Sequence, residues 1–491
     1  MSAEGLVSNE FGASATDANV NEAFDYLEFD SKLLKKREVI ERVGSVWFNI
    51  GLFAISLFYM GFHIIITSHT ALQPHFLTDL QIGPIKFMLL ASLRNSAQGI
   101  SALIAAFFVE SRIRTSITIL AGTAISGIGA IINAGGIYSS TYALMIIGHM
   151  MIGSCLEVLN VSQYIITIKV YNDFFLNTII SLQFAIIRIG GFVAYQVVNK
   201  LYRAVDTRYY GAKKLGITNF IIDSSISNEI VFATLLALIY ERYRSRDRQE
   251  EPIDARRPLS VHLQQKKRDK KQHIFAVLSD IVNDLSKLSK EQVLIIISAS
   301  IYKPVIESIM LQVIEMNMRK YERTWISAMR LSSYFELIHG VSGPFVGLAL
   351  DYFQSNFLFM CIGLLISLIG ISLMSFTFIS VVGMVLVSIG YSIYVSSYWI
   401  VIAHSKTTNH SFNISFGLFC LSIGRTIITA VSGYILEHYG YFYIFIIYLG
   451  LLMVLSLPMN SFAFFKIRYS PLATFNYRGD EGEERLLSVK K

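Results

Sequence analysis

Charged residues are scarce in this chain of 491 residues. They make up 16% of it, whereas soluble globular proteins carry about 25%. Cysteine is also rare, and the three that occur, Cys155, Cys361 and Cys420, fall within apolar runs. Thiols in such runs pack as small hydrophobic groups, so the sequence predicts no disulfide framework and no metal site. The first 45 residues lack the apolar segment and cleavage site of a secretory signal peptide.

The sequence also lacks the features of an enzyme or a nucleic-acid-binding protein. No segment combines a nucleophile, a base and an orienting acid, so we expect neither enzymatic activity nor a cofactor. The net charge is +7, but the basic residues flank apolar segments and do not form a soluble basic face. We therefore expect no nucleic-acid partner.

The sequence does contain a series of long apolar runs. Hydrophobic residues make up 53% of the chain, and the mean hydropathy is +0.51. Twelve runs of about 20 residues are each long enough to cross a hydrocarbon core of roughly 30 Å as a helix. They start near Val46, Lys86, Thr115, Tyr142, Phe174, Ile217, Gln292, Trp325, Asn356, Val381, Phe412 and Tyr441. The predicted fold class is an all-α membrane protein with 12 transmembrane helices.

A long polar interruption divides the twelve runs into two sets of six. The predicted segments are an N-terminal tail (1–45), an N-terminal six-helix bundle (46–240), a basic linker (241–290), a C-terminal six-helix bundle (291–465) and a C-terminal tail (466–491). Within the linker, apolar residues at helical spacing predict an amphipathic helix near 274–288. Such a helix lies along the membrane lipid surface.

The distribution of basic residues predicts that both tails and the linker are cytosolic. Lysines and arginines are concentrated before the first run and in the linker, and cytosolic loops usually carry such an excess. An even number of spans places both termini on the same side. The loop after the fifth run is the exception, because it would face away from the cytosol and yet carries Lys200, Arg203, Arg208, Lys213 and Lys214.

Two opposite charges lie within neighbouring apolar runs, Glu157 in the fourth and Arg188 in the fifth. A charge at the centre of a membrane helix costs about 2.5 to 3.5 kcal/mol, so each charge needs a compensating interaction. One interpretation is an ion pair between the two side chains that holds the helices together. The other is a site for a zwitterionic solute, whose amine and carboxylate pair with the two side chains.

Two six-helix halves joined by a long loop resemble the major facilitator superfamily of transporters. Two loop motifs carry the resemblance. The segment AAFFVESRIR places Glu110 where the family has an aspartate after the second span, and GLALD keeps Gly347 and Asp351 after the eighth. The resemblance implies the major facilitator fold, with substrate bound between the halves, and a gating role for these residues. The alternative is a solvated loop charge beside a packing glycine.

Five segments resemble one branch of that superfamily, the lysosomal dipeptide transporters: TALQPHFLTDLQIGPIKFMLL, IGHMMIGSCLEVLNVSQY, LQFAIIRIGGFVAYQVVNKLY, SIGYSIYVSSYW and GYILEHYGYFYIF. The resemblance implies a uniporter that moves dipeptides from the lysosomal lumen to the cytosol by alternating access. It carries over Glu157, Arg188 and Trp399 as substrate-binding residues. The chemistry agrees, because a carboxylate binds an amine, a guanidinium binds a carboxylate, and an indole ring accepts a cationic side chain.

Two amides follow Glu157 on the same predicted helix. Asn160 comes three residues later and Gln163 six, which places Asn160 on nearly the same face and Gln163 further round it. Both are candidate substrate-binding residues. Membrane helices also use such amides for contacts with one another, so interhelical packing is an equal alternative.

The C-terminal half carries charges that form a candidate intramembrane network: Lys303, Glu307, Arg330, Glu336 and Arg425. Lys303 and Glu307 lie one helical turn apart, so they can pair. Arg425 stands where the resembled branch has an apolar residue. We therefore expect Arg425 to need an acidic partner, either Glu307 or Glu336.

The first span departs from the pattern of the resembled branch. That branch has a Tyr-Asp-Asn-Pro-like stretch where this chain has Ile66, Thr67, Ser68 and His69, so one acidic group is missing. The departure leaves the peptide selectivity open. His63 and His69 can supply polarity there, although a lone histidine at a helix end is more often a surface residue.

The resemblance also implies a location and partners. It implies a lysosomal or endolysosomal membrane and a glycosylated single-span accessory subunit. The tails contain dileucine-like segments for cytosolic adaptor complexes, with Leu33 and Leu34 in DSKLL and Leu486 and Leu487 in EERLL. Two other functions stay open: a proton-coupled transporter of another small organic solute or amino acid at the plasma membrane, and a transport-silent receptor or scaffold.

Overall fold

The computed structural model describes residues 50, 53–54, 57, 59–110, 115–171, 176–205, 208–224, 230–238, 290–353, 355–377, 379–403 and 410–469. The chain forms two units, divided between Phe53 and Ala54. Of the first unit only Ile50 and Phe53 are described, both helical, and all that follows concerns the second. The predicted N-terminal tail, the amphipathic linker helix, the C-terminal tail beyond Tyr469 and all four sorting leucines lie outside the described residues.

In the described chain before the linker, the structure has α1 (Met60–Ala71), α2 (Gln73–Asp79), α3 (Pro84–Glu110), α4 (Thr115–Tyr138), α5 (Tyr142–Tyr171), α6 (Leu176–Ala204) and α7 (Gly211–Asp223). Residues 230–238 are also helical. Helices α1 and α2 are separated at Leu72. Pro74 lies in the first turn of α2, where the missing N–H has no intrahelical partner to lose.

The helices after the linker are α8 (Lys290–Lys320), α9 (Trp325–Phe353), α10 (Asn356–Phe376), α11 (Ser380–Ala403), α12 (His410–His438), α13 (Tyr441–Leu451) and α14 (Leu457–Tyr469). A π-helical turn, Leu452–Ser456, joins α13 to α14. Pro304 lies inside α8 and Pro344 inside α9. Each removes one backbone hydrogen bond, which membrane helices tolerate because neighbouring groups satisfy the freed carbonyl.

Eight helical segments in the described chain are long and apolar enough to cross a membrane: α4, α5, α6, α8, α10, α11, α12 and the run from α13 to α14. Helices α3 and α9 are not among them, and each carries a charged residue within it, Arg94 and Glu336 respectively. The other two predicted spans correspond to α1 with α2, and to α7 with residues 230–238.

Six predicted span starts, at places where the preceding residues are also described, agree with the starts of helices. Starts predicted near Lys86, Tyr142, Trp325, Asn356, Val381 and Tyr441 lie within two residues of the starts of α3, α5, α9, α10, α11 and α13. The sixth run differs, because α7 begins at Gly211 and not near Ile217. Hydropathy marks where a helix enters lipid, whereas the backbone becomes helical earlier, through the polar residues Lys213 and Lys214.

Helices of the two halves contact each other chiefly through two pairs, α3 with α12 and α6 with α9. Glycines allow the backbones to approach. A Cβ atom on Gly347 of α9 would lie 2.8 Å from the Oγ of Ser181 in α6, and one on Gly433 of α12 would lie 2.8 Å from the Cβ of Met88 in α3. Small residues at such contacts are typical of membrane helices. These pairs bring polar residues of both halves to one cavity.

Candidate functional site

A central cavity lies between the N-terminal and C-terminal helices. Helices α1, α3, α5 and α6 line it from one half, and α8, α9, α11 and α12 line it from the other. Its volume is about 1250 Å³, including the solvent at its mouth. Charged side chains are concentrated in the lining: Arg94, Glu157, Arg188, Lys303, Glu307, Glu336 and Arg425, with His63 beside them.

Glu157 of α5 is fully buried and pairs with Arg425 of α12. Its Oε1 atom lies 3.2 Å from Nη1 of Arg425. Asn160, one turn further along α5, donates from Nδ2 to the other carboxylate oxygen of Glu157 at 2.9 Å. Gln98 of α3 also accepts from Nη1 of Arg425, at 3.4 Å. Asn160 is therefore a partner of Glu157, and the Glu157–Arg425 pair joins the two halves of the chain.

Arg425 also binds Glu307 of α8 through two contacts. Its Nε atom lies 2.7 Å from Oε2 of Glu307, and its Nη2 atom donates to Oε1 at 3.3 Å. This confirms Glu307 as the expected partner of Arg425, while Glu336 is paired elsewhere. Lys303, one turn before Glu307, approaches Oε1 at 3.9 Å. One guanidinium is thus shared by two carboxylates from different halves, Glu157 and Glu307.

Arg188 pairs with Glu336 of α9 and not with Glu157. Its Nη1 atom donates to both carboxylate oxygens of Glu336 at 3.1 Å. His63 of α1 contacts the same carboxylate, with 3.2 Å between Nε2 and Oε2. The interpretation of a direct Glu157–Arg188 pair is therefore wrong for this conformation. The reason is that α5 and α6 present these charges to the C-terminal half, where each meets a counter-charge.

Tyr391 of α11 connects the two ion-pair systems. Its hydroxyl accepts from Nη2 of Arg188 at 3.4 Å and donates to Oε1 of Glu307 at 3.0 Å. The Arg188 guanidinium carbon also lies 5.3 Å from the Tyr391 ring centroid, within range of a cation–π contact. Charges from both halves therefore belong to one continuous network around the cavity.

Trp399, predicted as a wall of the site, lies behind the cavity lining. Its ring is buried and stacks on Tyr164 of α5, with 4.6 Å between the centroids. Tyr164 itself lines the cavity. Trp399 also contacts Lys303, whose Nζ atom lies 5.4 Å from the centroid of the Trp399 ring. The aromatic wall facing the cavity is therefore Tyr164, supported from behind by Trp399.

Gln163 takes part in a polar contact between α5 and α6. Its Nε2 atom donates to Oε1 of Gln183 at 3.4 Å, and Gln183 donates in turn to the hydroxyl of Thr167 at 2.9 Å. Gln163 and Gln183 also line the cavity. Both predicted environments of Gln163, the site and the helix–helix contact, therefore occur together.

Arg330 lies apart from the charge network to which it was assigned. It is exposed on α9, outside the cavity lining, whereas Glu336 on the same helix is buried in it. The two positions are six residues apart, so they lie on different faces of the helix. The sequence of one apolar run does not show which face of the helix is directed at the cavity when both faces carry charged residues.

His69 is buried, so its interpretation as a surface residue is wrong. Its Nδ1 atom lies 2.8 Å from the carbonyl oxygen of Ile65, and its Nε2 atom lies 3.0 Å from Nδ2 of Asn133 in α4. The His149 ring of α5 is 4.9 Å away between centroids. Thr67 lines the cavity. At this departure from the family pattern, polar but uncharged contacts therefore occupy the end of α1.

The predicted gating residues lie at helix ends. Asp351, near the end of α9, accepts a hydrogen bond from the backbone N–H of Thr178 in the first turn of α6, at 3.1 Å. Gly347 lies one turn earlier, where α9 packs on α6. Glu110 is the last residue of α3, and its side chain lies outside the described part of the chain.

Arg94 and Tyr391 line the cavity but were not singled out by the sequence patterns. Arg94 does carry a signal, because it is a lone arginine inside the apolar run MLLASLRNSAQGI of α3, comparable to Arg188 in α6. Tyr391 carries none, since the segment SIGYSIYVSSYW contains several tyrosines with the same local character.

Known proteins resemble this chain over most of its length. The lysosomal dipeptide transporter MFSD1 of Mus musculus is 24% identical over 405 residues, which cover 79% of this chain and 81% of the relative. The lysosomal dipeptide transporter MFSD1 of Bos taurus is 23% identical over 435 residues, 85% of each chain. No protein-family model matches the chain.

Solved structures with the same architecture are transporters of the major facilitator superfamily. The proton:xylose symporter XylE, bound to 6-bromo-6-deoxy-D-glucose, has a TM-score of 0.61 at 10% identity, covering 85% of this chain and 94% of its own. The E. coli fucose:proton symporter FucP has a TM-score of 0.59 at 14% identity, covering 85% and 99%. A bacterial homologue of the human drug peptide transporters PepT1 and PepT2 has a TM-score of 0.56 at 14% identity, covering 86% and 98%. The chain therefore has the major facilitator fold.

Proposed function

We propose that this chain, an all-α membrane protein with the major facilitator fold, is a uniporter that moves dipeptides from the lysosomal lumen to the cytosol. Transport would proceed by alternating access, with the two six-helix bundles rocking around the central cavity. The similarity to lysosomal dipeptide transporters supports the substrate class and the membrane. Co-localisation of the tagged full-length chain with a lysosomal marker tests the membrane assignment.

The observation that carries the proposal is that two ion pairs join the halves, and that the half which supplies the carboxylate in one supplies the guanidinium in the other. In one the N-terminal half supplies the carboxylate, Glu157, and the C-terminal half the guanidinium, Arg425. In the other the N-terminal half supplies the guanidinium, Arg188, and the C-terminal half the carboxylate, Glu336. A zwitterion carries both complementary charges, so its amine can take the place of a guanidinium beside a glutamate, and its carboxylate can bind a guanidinium of the cavity lining.

These ion pairs also give the charged groups of the cavity partners within the protein. A buried charge left without a partner is strongly unfavourable, so a site for charged substrates needs internal partners when no substrate is bound. Because each pair joins opposite halves, exchanging one partner for substrate loosens a contact between the bundles. Substrate binding is thereby coupled to bundle movement through differential contacts, which a conformational change requires.

Reconstitution tests the proposal directly. Purified protein in liposomes should show counterflow of a labelled dipeptide when the vesicles are preloaded with unlabelled dipeptide, and a panel of dipeptides should raise its unfolding temperature. Free amino acids should have a weaker effect, because their amine and carboxylate are closer together than those of a dipeptide and they lack the second residue's contacts. The double variant E157Q/R425Q should lose counterflow.

Arg330→Gln serves as the matched control, because Arg330 is exposed and outside the cavity lining. A chain that folds and inserts but shows neither stabilisation nor counterflow with any dipeptide would contradict the proposal. That result would favour the transport-silent receptor or scaffold.

A proton-coupled mechanism is the second candidate, and one contact favours it. Nε2 of His63 and Oε2 of Glu336 lie 3.2 Å apart inside the cavity, and histidine and carboxylate groups within membrane helices are typical of proton relays. If a proton is co-transported, an imposed inward pH gradient should drive dipeptide accumulation in liposomes without preloading. H63Q and E336Q would then abolish that accumulation, whereas a uniporter would only equilibrate the dipeptide. Uptake of another small organic solute or amino acid in this assay would support a proton-coupled transporter of that solute, and co-localisation with a plasma-membrane marker would support the plasma-membrane alternative.

A further inference from the structure

Arg94 of α3 is a buried cation that lacks an ion-pair partner in the described part of the chain. It is 7% exposed and lines the central cavity. Its Nε atom is buried with no hydrogen-bond partner. Among the residues that the structure describes, none lies in an ion pair with its guanidinium. Arg188 and Arg425 differ from it, because each contacts at least one glutamate.

The charge balance of the cavity shows why Arg94 is left over. The lining contains four basic residues and three glutamates, so it carries one excess positive charge when His63 is neutral. Arg425 holds Glu157 and Glu307, and Arg188 holds Glu336. No carboxylate in the lining is free for Arg94. A buried guanidinium in this position is favourable only when an anion joins it.

The chain is shaped to place Arg94 there. Gly153 of α5 packs against Arg94. A Cβ atom on that glycine would lie 2.4 Å from the Arg94 carbonyl oxygen and 2.9 Å from the Arg94 Cγ. Any larger residue would therefore push α3 and the arginine away. Arg94 also lines a smaller pocket behind the cavity, with His69 and His149. Neither histidine is an acid, and Glu307, the carboxylate whose charge acts on Arg94, already forms an ion pair with Arg425.

We infer that Arg94 is the residue that binds the carboxylate of the substrate. This assignment rests on the proposed dipeptide transport and adds a specificity-determining residue to it. A guanidinium presents two parallel N–H donors that match the two oxygens of a carboxylate. Arg94 can bind this group without breaking either ion pair between the halves. The amine of the substrate then competes with Arg425 for Glu157, which is the step that loosens the contact between the bundles.

The test compares one dipeptide in three forms: the free acid, the C-terminal amide and the N-acetyl derivative. Binding is measured by titrated thermal stabilisation of the purified wild type, R94Q, R94K and the control R330Q. The wild type and R330Q should bind the free acid about 10- to 100-fold more tightly than the amide, as expected for a charge-assisted hydrogen bond. R94Q should weaken binding of the free acid and bind acid and amide equally. R94Q should still bind the N-acetyl derivative more weakly than the free dipeptide, since Glu157, which pairs with the amine, is unchanged.

R94K separates charge from geometry. A lysine keeps the positive charge without the planar fork, so R94K should retain a reduced preference for the free acid. The retained effect of N-acetylation, and an unfolding temperature without ligand that is no lower than that of the wild type, would show that the rest of the R94Q cavity is intact. If Arg94 binds the substrate carboxylate, R94Q changes the ratio of the affinities for the free acid and the amide. A merely structural role for Arg94 would leave this ratio unchanged.

The outcomes separate this inference from the proposed function. If the wild type binds no form of any dipeptide, the proposed function fails. If the wild type binds dipeptides and R94Q keeps the full preference for the free acid, only the Arg94 assignment fails. If the preference disappears in R188Q/E336Q and persists in R94Q, the carboxylate is bound by Arg188 and the assignment is overturned. Stabilisation of the wild type by chloride equal to that by dipeptide would also overturn it.

Discussion

At the scale of single residues, Arg425 of α12 holds two carboxylates that approach from different halves, Glu157 and Glu307. Glu157 is 1% exposed, so water does not compensate for a lost partner. Breaking a buried ion pair by removing one member typically costs about 3 to 5 kcal/mol. Arg425 should therefore contribute to folding stability as well as to the site.

We expect R425Q to lower the unfolding temperature of the purified protein markedly, because Glu157 is left buried without a counter-charge. Neutralising that carboxylate as well, in R425Q/E157Q, should recover much of the loss, since no isolated charge then remains. Thermal unfolding in detergent measures both effects, and R330Q is the control for loss of an arginine. An unfolding temperature for R425Q equal to that of R330Q would contradict this account of Arg425.

The candidate site could be predicted in part from single residues. Charged residues inside apolar runs are costly, so Glu157, Arg188 and Arg425 were recognisable without a structure. Their partners were not recognisable. Whether these three charges pair with one another or with Glu307 or Glu336 depends on the rotation of helices that are far apart in the sequence. Trp399 was also recognisable, but its place behind Tyr164 depends on the packing of α5 against α11.

At the scale of elements, the contact between α6 and α9 depends on small residues. A Cβ atom on Gly347 would lie 2.8 Å from the Ser181 hydroxyl and 2.9 Å from the Cα of Thr178. Contacts of a new Cβ below 3.0 Å require a neighbouring group to move, and here one of those groups is backbone. The helices can therefore close as they do only with glycine at this position.

We expect G347V to push α9 away from α6 and to favour the conformation in which the cavity is open at the face of the bundle where α6 begins. A reporter introduced by T429C in the cavity lining should then react faster with a membrane-impermeant thiol reagent from that side of the vesicle. The native cysteines would first be replaced. G135V in α4 is the control, because a Cβ at Gly135 meets no atom within 4 Å. Equal labelling of G347V and G135V would show that the contact does not govern opening.

At the scale of the whole molecule, two carboxylates cap helices of the opposite half. Asp351 near the end of α9 accepts from the N–H of Thr178 in α6, and Glu437 near the end of α12 accepts from the N–H of Ile85 in α3 at 3.0 Å. An anion at a helix N-terminus stabilises it by about 0.3 to 2 kcal/mol. Because consecutive helices alternate in direction, α3 and α6 begin at opposite faces of the bundle. One cap therefore acts at each face.

Neutralising the two caps should shift the conformational equilibrium in opposite directions. D351N should raise labelling of the T429C reporter from the face where α6 begins, and E437Q should raise it from the face where α3 begins. The double variant D351N/E437Q should label more nearly like the wild type, because the two effects oppose each other. A shift in the same direction for both single variants would contradict the assignment of one cap to each face.

The sequence by itself determined the class of the molecule and the positions of most of its spanning helices. Apolar runs of spanning length and a polar linker are local properties, since the thickness of the membrane fixes how many apolar residues a helix needs. This is why the starts of α5, α9, α10 and α13 could be predicted to within two residues. The charged residues inside those runs likewise follow from composition.

Only the tertiary structure decided which charges meet. The pairs Glu157 with Arg425 and Arg188 with Glu336 join residues 268 and 148 positions apart, and no local pattern specifies such contacts. The same holds for Arg94, whose isolation is a property of the whole cavity lining. An ion pair depends on distances of a few ångströms between separate helices, and those distances are fixed by how the two bundles pack.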